Sequence, residues 1–133
     1  MLAGYVQGCN ITDNEFARIG DSAVVAYGRA DGNDLTGGSF PQDNLIEQNH
    51  IHNIGIVGKQ VAGYFQSIAG HNTIRKNVVY GGPRAGIVIN DGAVGGNQII
   101  NNLLFGLVRE TNDHGRSIPH PCTYATLTYV GLC

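Results

Sequence analysis

One short phrase is written four times in this chain, and it restricts the available folds more than any other feature. An aliphatic residue, two variable positions, Asn, one variable position and a second apolar residue recur as Ile11 to Phe16, Ile46 to Ile51, Ile74 to Val79 and Ile99 to Leu104. Two positions before each aliphatic anchor stand Cys9, Asn44, Asn72 and Asn97, so the register holds over eight residues without a gap. The anchors are 35, 28 and 25 residues apart. Units of that length cannot bury an apolar face alone; stacked, they bury a continuous one and absorb unequal intervals as loops.

Within each unit apolar and polar residues alternate at period two, which makes it a strand with one buried face; a helix would repeat its apolar residues at three and four. The Asn at the fourth position adds a second constraint. Its amide both donates and accepts, and Asn tolerates left-handed backbone. The same Asn in successive coils, about 4.8 Å apart, can therefore bond to the backbone and to its neighbours as an asparagine ladder. Nine after the anchors come Gly20, Gly55, Pro83 and Val108, which marks a turn at one place in every coil. Apolar strands follow at Ala23 to Tyr27, Val61 to Phe65 and Ala85 to Ile89. The fold expected is all-β: a single-stranded right-handed parallel β-helix of about four to five coils with an asparagine ladder.

These coils account for residues 1–115. Residues 116–133 read as a non-repeat tail, because Pro119 and Pro121 stand where a strand is due and Thr123 to Val130 alternates without anchor or Asn. The tail is expected to be foreign sequence or a covering strand. Leu2 to Val6 read as the second half of a coil without its first half, so the chain looks truncated, and its open ends are expected to self-associate by edge pairing. A net charge of −2 and the absence of a basic run argue against a nucleic-acid partner, and no apolar stretch is long enough to span a membrane. The first eight residues lack the charged start and apolar middle of a signal peptide. Three cysteines without a Cys-x-x-Cys spacing give neither a disulfide framework nor a zinc site, and Cys9, at a ladder position, is expected to be a buried thiol. Asp31 to Gly38 has the composition of a calcium loop but no distal bidentate Glu, which favours a solvated loop.

Gly82-Pro83-Arg84-Ala85-Gly86-Ile87-Val88-Ile89-Asn90-Asp91-Gly92, then the anchor Ile99, then Arg109-Glu110-Thr111-Asn112-Asp113-His114-Gly115 resembles a block found in larger right-handed parallel β-helix proteins of the pectate-lyase-like superfamily. Where those proteins continue with a proline, an aromatic residue and Trp-Asp-Arg, this chain has Arg116-Ser117-Ile118-Pro119. The resemblance implies a polysaccharide-acting or polysaccharide-binding protein, lyase-type β-elimination if it is catalytic, and an extracellular setting for full-length relatives. The only cofactor it suggests is calcium; the residues themselves call for none, and no set of metal ligands is assigned.

Arg84 and Arg109 both stand ten after their anchors and are expected on neighbouring coils, about 5 Å apart. Two guanidiniums that close need an anion, either Glu110 or Asp113 from the chain or a carboxylate from a ligand, which the Arg fork matches in bidentate fashion. A uronate-containing glycan, such as an oligouronate, is the partner this favours. By the resemblance, Arg84 and Arg109 take the roles of base and carboxylate neutraliser, and His114 beside Asp113 is the other candidate for proton transfer. Asn90, Asp91, Glu110 and Asp113 complete the candidate substrate-binding set, and no recognisable pair of acids marks a glycosidase. The alternative is a non-catalytic scaffold or interaction fragment, in which the arginines pair with Glu110 and Asp113.

Overall fold

The computed structural model describes residues 1–31, 34–90, 94–111, 117–119, 126–128 and 131–132. Three parallel sheets share the strands between them. The first stacks β1 (Leu2–Ala3), β4 (Val24–Tyr27), β9 (Ala62–Ser67), β12 (Ala85–Asn90) and β15 (Ser117–Pro119). The second stacks β2 (Asn10–Thr12), β7 (Leu45–Glu47), β10 (Thr73–Arg75), β13 (Gln98–Ile100) and β16 (Thr126–Thr128). The third stacks β3 (Glu15–Ala17), β8 (His50–His52), β11 (Val78–Tyr80), β14 (Leu103–Phe105) and β17 (Gly131–Leu132). The chain visits the second sheet, the third and then the first before returning one layer on, a connectivity that fits a parallel β-helix. An antiparallel hairpin of β5 (Arg29–Asp31) and β6 (Asp34–Ser39) is inserted after β4. Among the described residues no helix is long and apolar enough to cross a membrane.

The repeat sets the register. Ile11, Ile46, Ile74 and Ile99 are successive partners along the second sheet, and Phe16, Ile51, Val79 and Leu104 along the third. All but the first-coil members, Ile11 and Phe16, are buried to 1% exposure or less. The first sheet contributes Val24, Tyr64 and Ile87 in one column and Leu2, Ala26, Gln66 and Ile89 in the next. Gln66 is fully buried in this apolar company and is satisfied there: the Tyr64 hydroxyl donates to its Oε1 at 2.9 Å, and its Nε2 donates to the Ala69 carbonyl at 2.6 Å. Burial pushes the Tyr64 phenol well above its ordinary range.

Two asparagine ladders stand at two corners. In the first, the Asn14 and Asn49 Nδ2 groups each donate to the next amide oxygen, Asn49 Oδ1 and Asn77 Oδ1, and Asn77 Nδ2 donates to Asn102 Oδ1, all at 2.9–3.1 Å. Each amide also closes onto backbone, with Asn77 Nδ2 donating to the Ile46 carbonyl and Asn102 Nδ2 to that of Ile74. The second ladder runs through Cys9, Asn44, Asn72 and Asn97: the backbone N–H groups of Cys9, Asn44 and Asn72 each donate to the amide oxygen of the next coil's Asn at 3.0–3.1 Å.

Two expectations are corrected. The left-handed residue is not the ladder Asn but the one before it: Asp13, Gln48, Lys76 and Asn101 have φ of 52–57°, as do Asp43 and His71 at 56° and 53° in the second ladder. A single left-handed residue turns the chain and leaves the following Asn extended, so that its amide reaches along the stack. Cys9 is exposed, because as the end member of its column it has a stacked neighbour on one side only. Within the segment 116–133, the described backbone of β15, β16 and β17 adds one parallel strand to each sheet, with Leu127 in register with Ile99 and Leu132 with Leu104.

Candidate functional site

The corner between the third and first sheets differs in length from coil to coil. Its first residue is left-handed in every described coil, at Arg18, Asn53, Gly81 and Gly106. Beyond that point the second coil runs out to Val61 before β9 begins, whereas the third coil needs only Gly81 to Arg84 before β12. The longer second-coil segment is bonded back onto the first coil, the Val57 and Gly58 N–H groups donating to the Gly20 carbonyl at 3.0 and 2.8 Å. Gly55, at φ 68°, is pressed so closely on Pro83 and Val61 that a Cβ there would meet side-chain carbons at 2.5 and 2.6 Å.

This stacking leaves a cleft of about 190 Å³ across three coils, with Lys59, Pro83, Arg109 and Glu110 on its walls and the Asn53 to Ile56 backbone beneath. Lys59 Nζ lies 3.2 Å from both Glu110 carboxylate oxygens and donates to the Gly55 carbonyl at 3.0 Å. Both partners are about half exposed, so the pair adds little to stability. Arg109 is exposed on the same wall and has no ion-pair partner among the described residues. Counting Lys59, Arg109 and Glu110, the cleft carries one net positive charge within a chain of net charge −2.

The sequence-designated residues are distributed unevenly around it. Arg109 and Glu110 line the cleft; Arg84 does not, being half buried, with its Nε buried and without a hydrogen-bond partner among the described residues. The two arginine segments are neighbours, but Val108 N–H donates to the Arg84 carbonyl and Glu110 N–H to that of Pro83. Those bonds run in the reverse order to a parallel ladder, so the shared ten-residue offset is not a ladder register at this corner. Asn90 is exposed at the far end of β12, six residues and about 20 Å from Arg84. Asp91, Asp113 and His114 lie outside the described residues, as do Gly32 and Asn33 of the acidic insert and Cys122 and Cys133. Lys59 was not legible as a site residue, because it sits in a segment with no counterpart in the other coils.

A second polar constellation lies on the outer face of the third sheet. His50 and His52 flank the buried Ile51 on β8, so period two turns both outward. Glu15 pairs in register with His50, and its Oε1 reaches diagonally past Ala17 to His52 Nε2 at 3.0 Å. The His52 hydrogen bond and charge hold the Glu15 carboxyl below its ordinary value. Tyr80 stacks on His52 at 5.1 Å and 7°, and Phe105 on Tyr80 at 4.8 Å and 9°. Tyr80 thus has a ring stacked on each of its faces. The signal for this group is present in the repeat: Glu15 and His50 both stand four after their anchors.

Comparisons with protein-family models, with curated proteins and with solved structures return no match to this chain.

Proposed function

We propose that this chain is part of a right-handed, single-stranded parallel β-helix that binds an acidic polysaccharide, a uronate-containing glycan above all, and holds it without cleaving it. Right-handed winding follows from the near-universal hand of parallel crossovers. The observation that carries the ligand class is Arg109: a guanidinium without an ion-pair partner among the described residues, on the wall of a cleft whose other cation, Lys59, is occupied by Glu110. A carboxylate matches the Arg fork in bidentate fashion. The cleft is smaller than the roughly 300–1,000 Å³ of pockets that enclose a compact ligand, so it suits one unit of a chain that continues over the surface. The Lys59–Glu110 pair also favours a scaffold over a lyase, since β-elimination needs a base and a second free cation converging on one uronate.

Titration with oligogalacturonate and with a neutral oligoglucoside tests this. Oligogalacturonate should bind more tightly, weaken as salt is added and lose at least fivefold in affinity in Arg109→Ala. Equal affinity for both glycans, or an unchanged Arg109→Ala, would refute the ligand class. Release of unsaturated uronate by the chain would refute binding without cleavage.

A further inference from the structure

The Glu15, His50 and His52 group has no part in the glycan cleft and lies on a different face of the fold. Two imidazoles and one carboxylate are a complete protein donor set for a borderline divalent metal, which takes nitrogen and oxygen ligands and completes its shell with water. Here one donor atom from each residue lies within 4.8 Å of the other two, and the closest approach, Glu15 Oε1 to His52 Nε2, is 3.0 Å. Metal bonds of about 2.0–2.2 Å set the donor atoms of a tetrahedral site about 3.4 Å apart, so a small side-chain rotation closes the set.

The backbone makes the set rigid. His50 and His52 are two residues apart on one strand, and Glu15 is fixed by the β3–β8 ladder, so none of the three ligands sits on a loop. His52 is further restrained by its stacking on Tyr80, and with Nδ1 buried, Nε2 is the nitrogen it offers. His50 and Glu15 are exposed, which leaves a way in for the ion and positions for water. Arg18 is the nearby cation whose charge reaches Glu15, and a bound metal would have to outweigh it.

We infer that Glu15, His50 and His52 form a surface site for a divalent transition metal of the Zn²⁺ or Co²⁺ type. The test is calorimetric titration of the full chain with Zn²⁺, repeated with Co²⁺ and its visible absorption. One equivalent should bind, and Glu15→Gln and His50→Gln should each weaken it fivefold or more. His71→Asn, a substitution away from the site at a left-handed position that Asn accepts, should leave it unchanged. Both test positions are exposed, and thermal unfolding of each variant confirms that it is folded. Absence of binding up to millimolar Zn²⁺ would overturn the inference, as would a loss below fivefold in either variant, which would place the ion on cysteine or another histidine.

Discussion

Removing one amide from the middle of the first ladder is expected to cost far more than removing the one at its end. Asn77 Oδ1 accepts from the Asn49 backbone N–H and from Asn49 Nδ2, while Asn77 Nδ2 donates to the Ile46 carbonyl and to Asn102 Oδ1. In Asn77→Ala the Asn49 N–H loses its acceptor in a buried site, which costs about 1–3 kcal/mol, and the remaining lost bonds add about 1 kcal/mol net. Asn49 Nδ2 keeps the Ile11 carbonyl, and Asn102 Oδ1 keeps the Asn77 N–H, so the damage stops there. The sum is about 2–4 kcal/mol. Asn14, by contrast, is exposed, and its Nδ2 serves only Thr12 and Asn49 Oδ1, which also receives the Asn14 N–H; Asn14→Ala should cost less than about 1 kcal/mol. Because the chain has no Trp, urea unfolding followed by far-UV circular dichroism is the suitable assay. With a slope of about 2 kcal/mol per molar urea, the midpoint should fall by about 1–2 M in Asn77→Ala. Equal losses at the two positions, or less than about 1 kcal/mol at Asn77, would refute the reasoning that buried ladder amides satisfy backbone groups nothing else can reach.

Acid stability should depend on Glu47, which accepts from Arg75 Nη2 at 2.8 Å and Lys76 Nζ at 3.0 Å. These two hydrogen bonds hold its native carboxyl below the ordinary value of 4.5, so its contribution is present above that value and is lost as pH falls through the lowered native one. Glu47→Gln should flatten the acid limb of urea midpoint against pH, and an unchanged limb would refute the assignment. Deleting residues 116–133 strips one paired strand from each sheet and bares the outer backbone edges of β12, β13 and β14, so the shortened chain should unfold earlier and aggregate. An equally soluble deletion with the same midpoint would show that those strands add nothing.

Where an Asn accompanies an aliphatic anchor, the sequence alone yields both the strand and its register; where the Asn is absent, the register is hidden. Ile46, Ile74 and Ile99 are legible for the first reason. Leu127, which occupies the same column between two threonines, was missed for the second, and prolines 119 and 121 strengthened the impression of a tail. The left-handed positions were unreadable because Asp, Gln, Lys and Asn occupy them before the first ladder, and Gly8, Asp43, His71 and Gly96 before the second, so no single residue type marks the corner. Arg109 lines the cleft and Arg84 does not, and their shared offset gives no ladder register there, because the backbone bonds between the two segments are not those of a parallel ladder. Lys59 could not be found from the repeat at all, and Glu15 with His50 could have been.

The constancy of one corner decides where this body can change. From the second sheet to the third the step is five residues in every coil, Ile11 to Phe16, Ile46 to Ile51, Ile74 to Val79, Ile99 to Leu104 and Leu127 to Leu132. From the third to the first it varies, eight residues from Phe16 to Val24 but thirteen from Ile51 to Tyr64, and from the first back to the second it ranges from ten, Tyr64 to Ile74, to twenty-two, Val24 to Ile46. A residue added at the invariant corner would turn an entire inward column toward water. Additions at the other two leave the stack untouched. One edge is thus a fixed spine, and the two opposite edges are sites where segments of new length and new chemistry can be grafted coil by coil, each arriving at a known height along the stack.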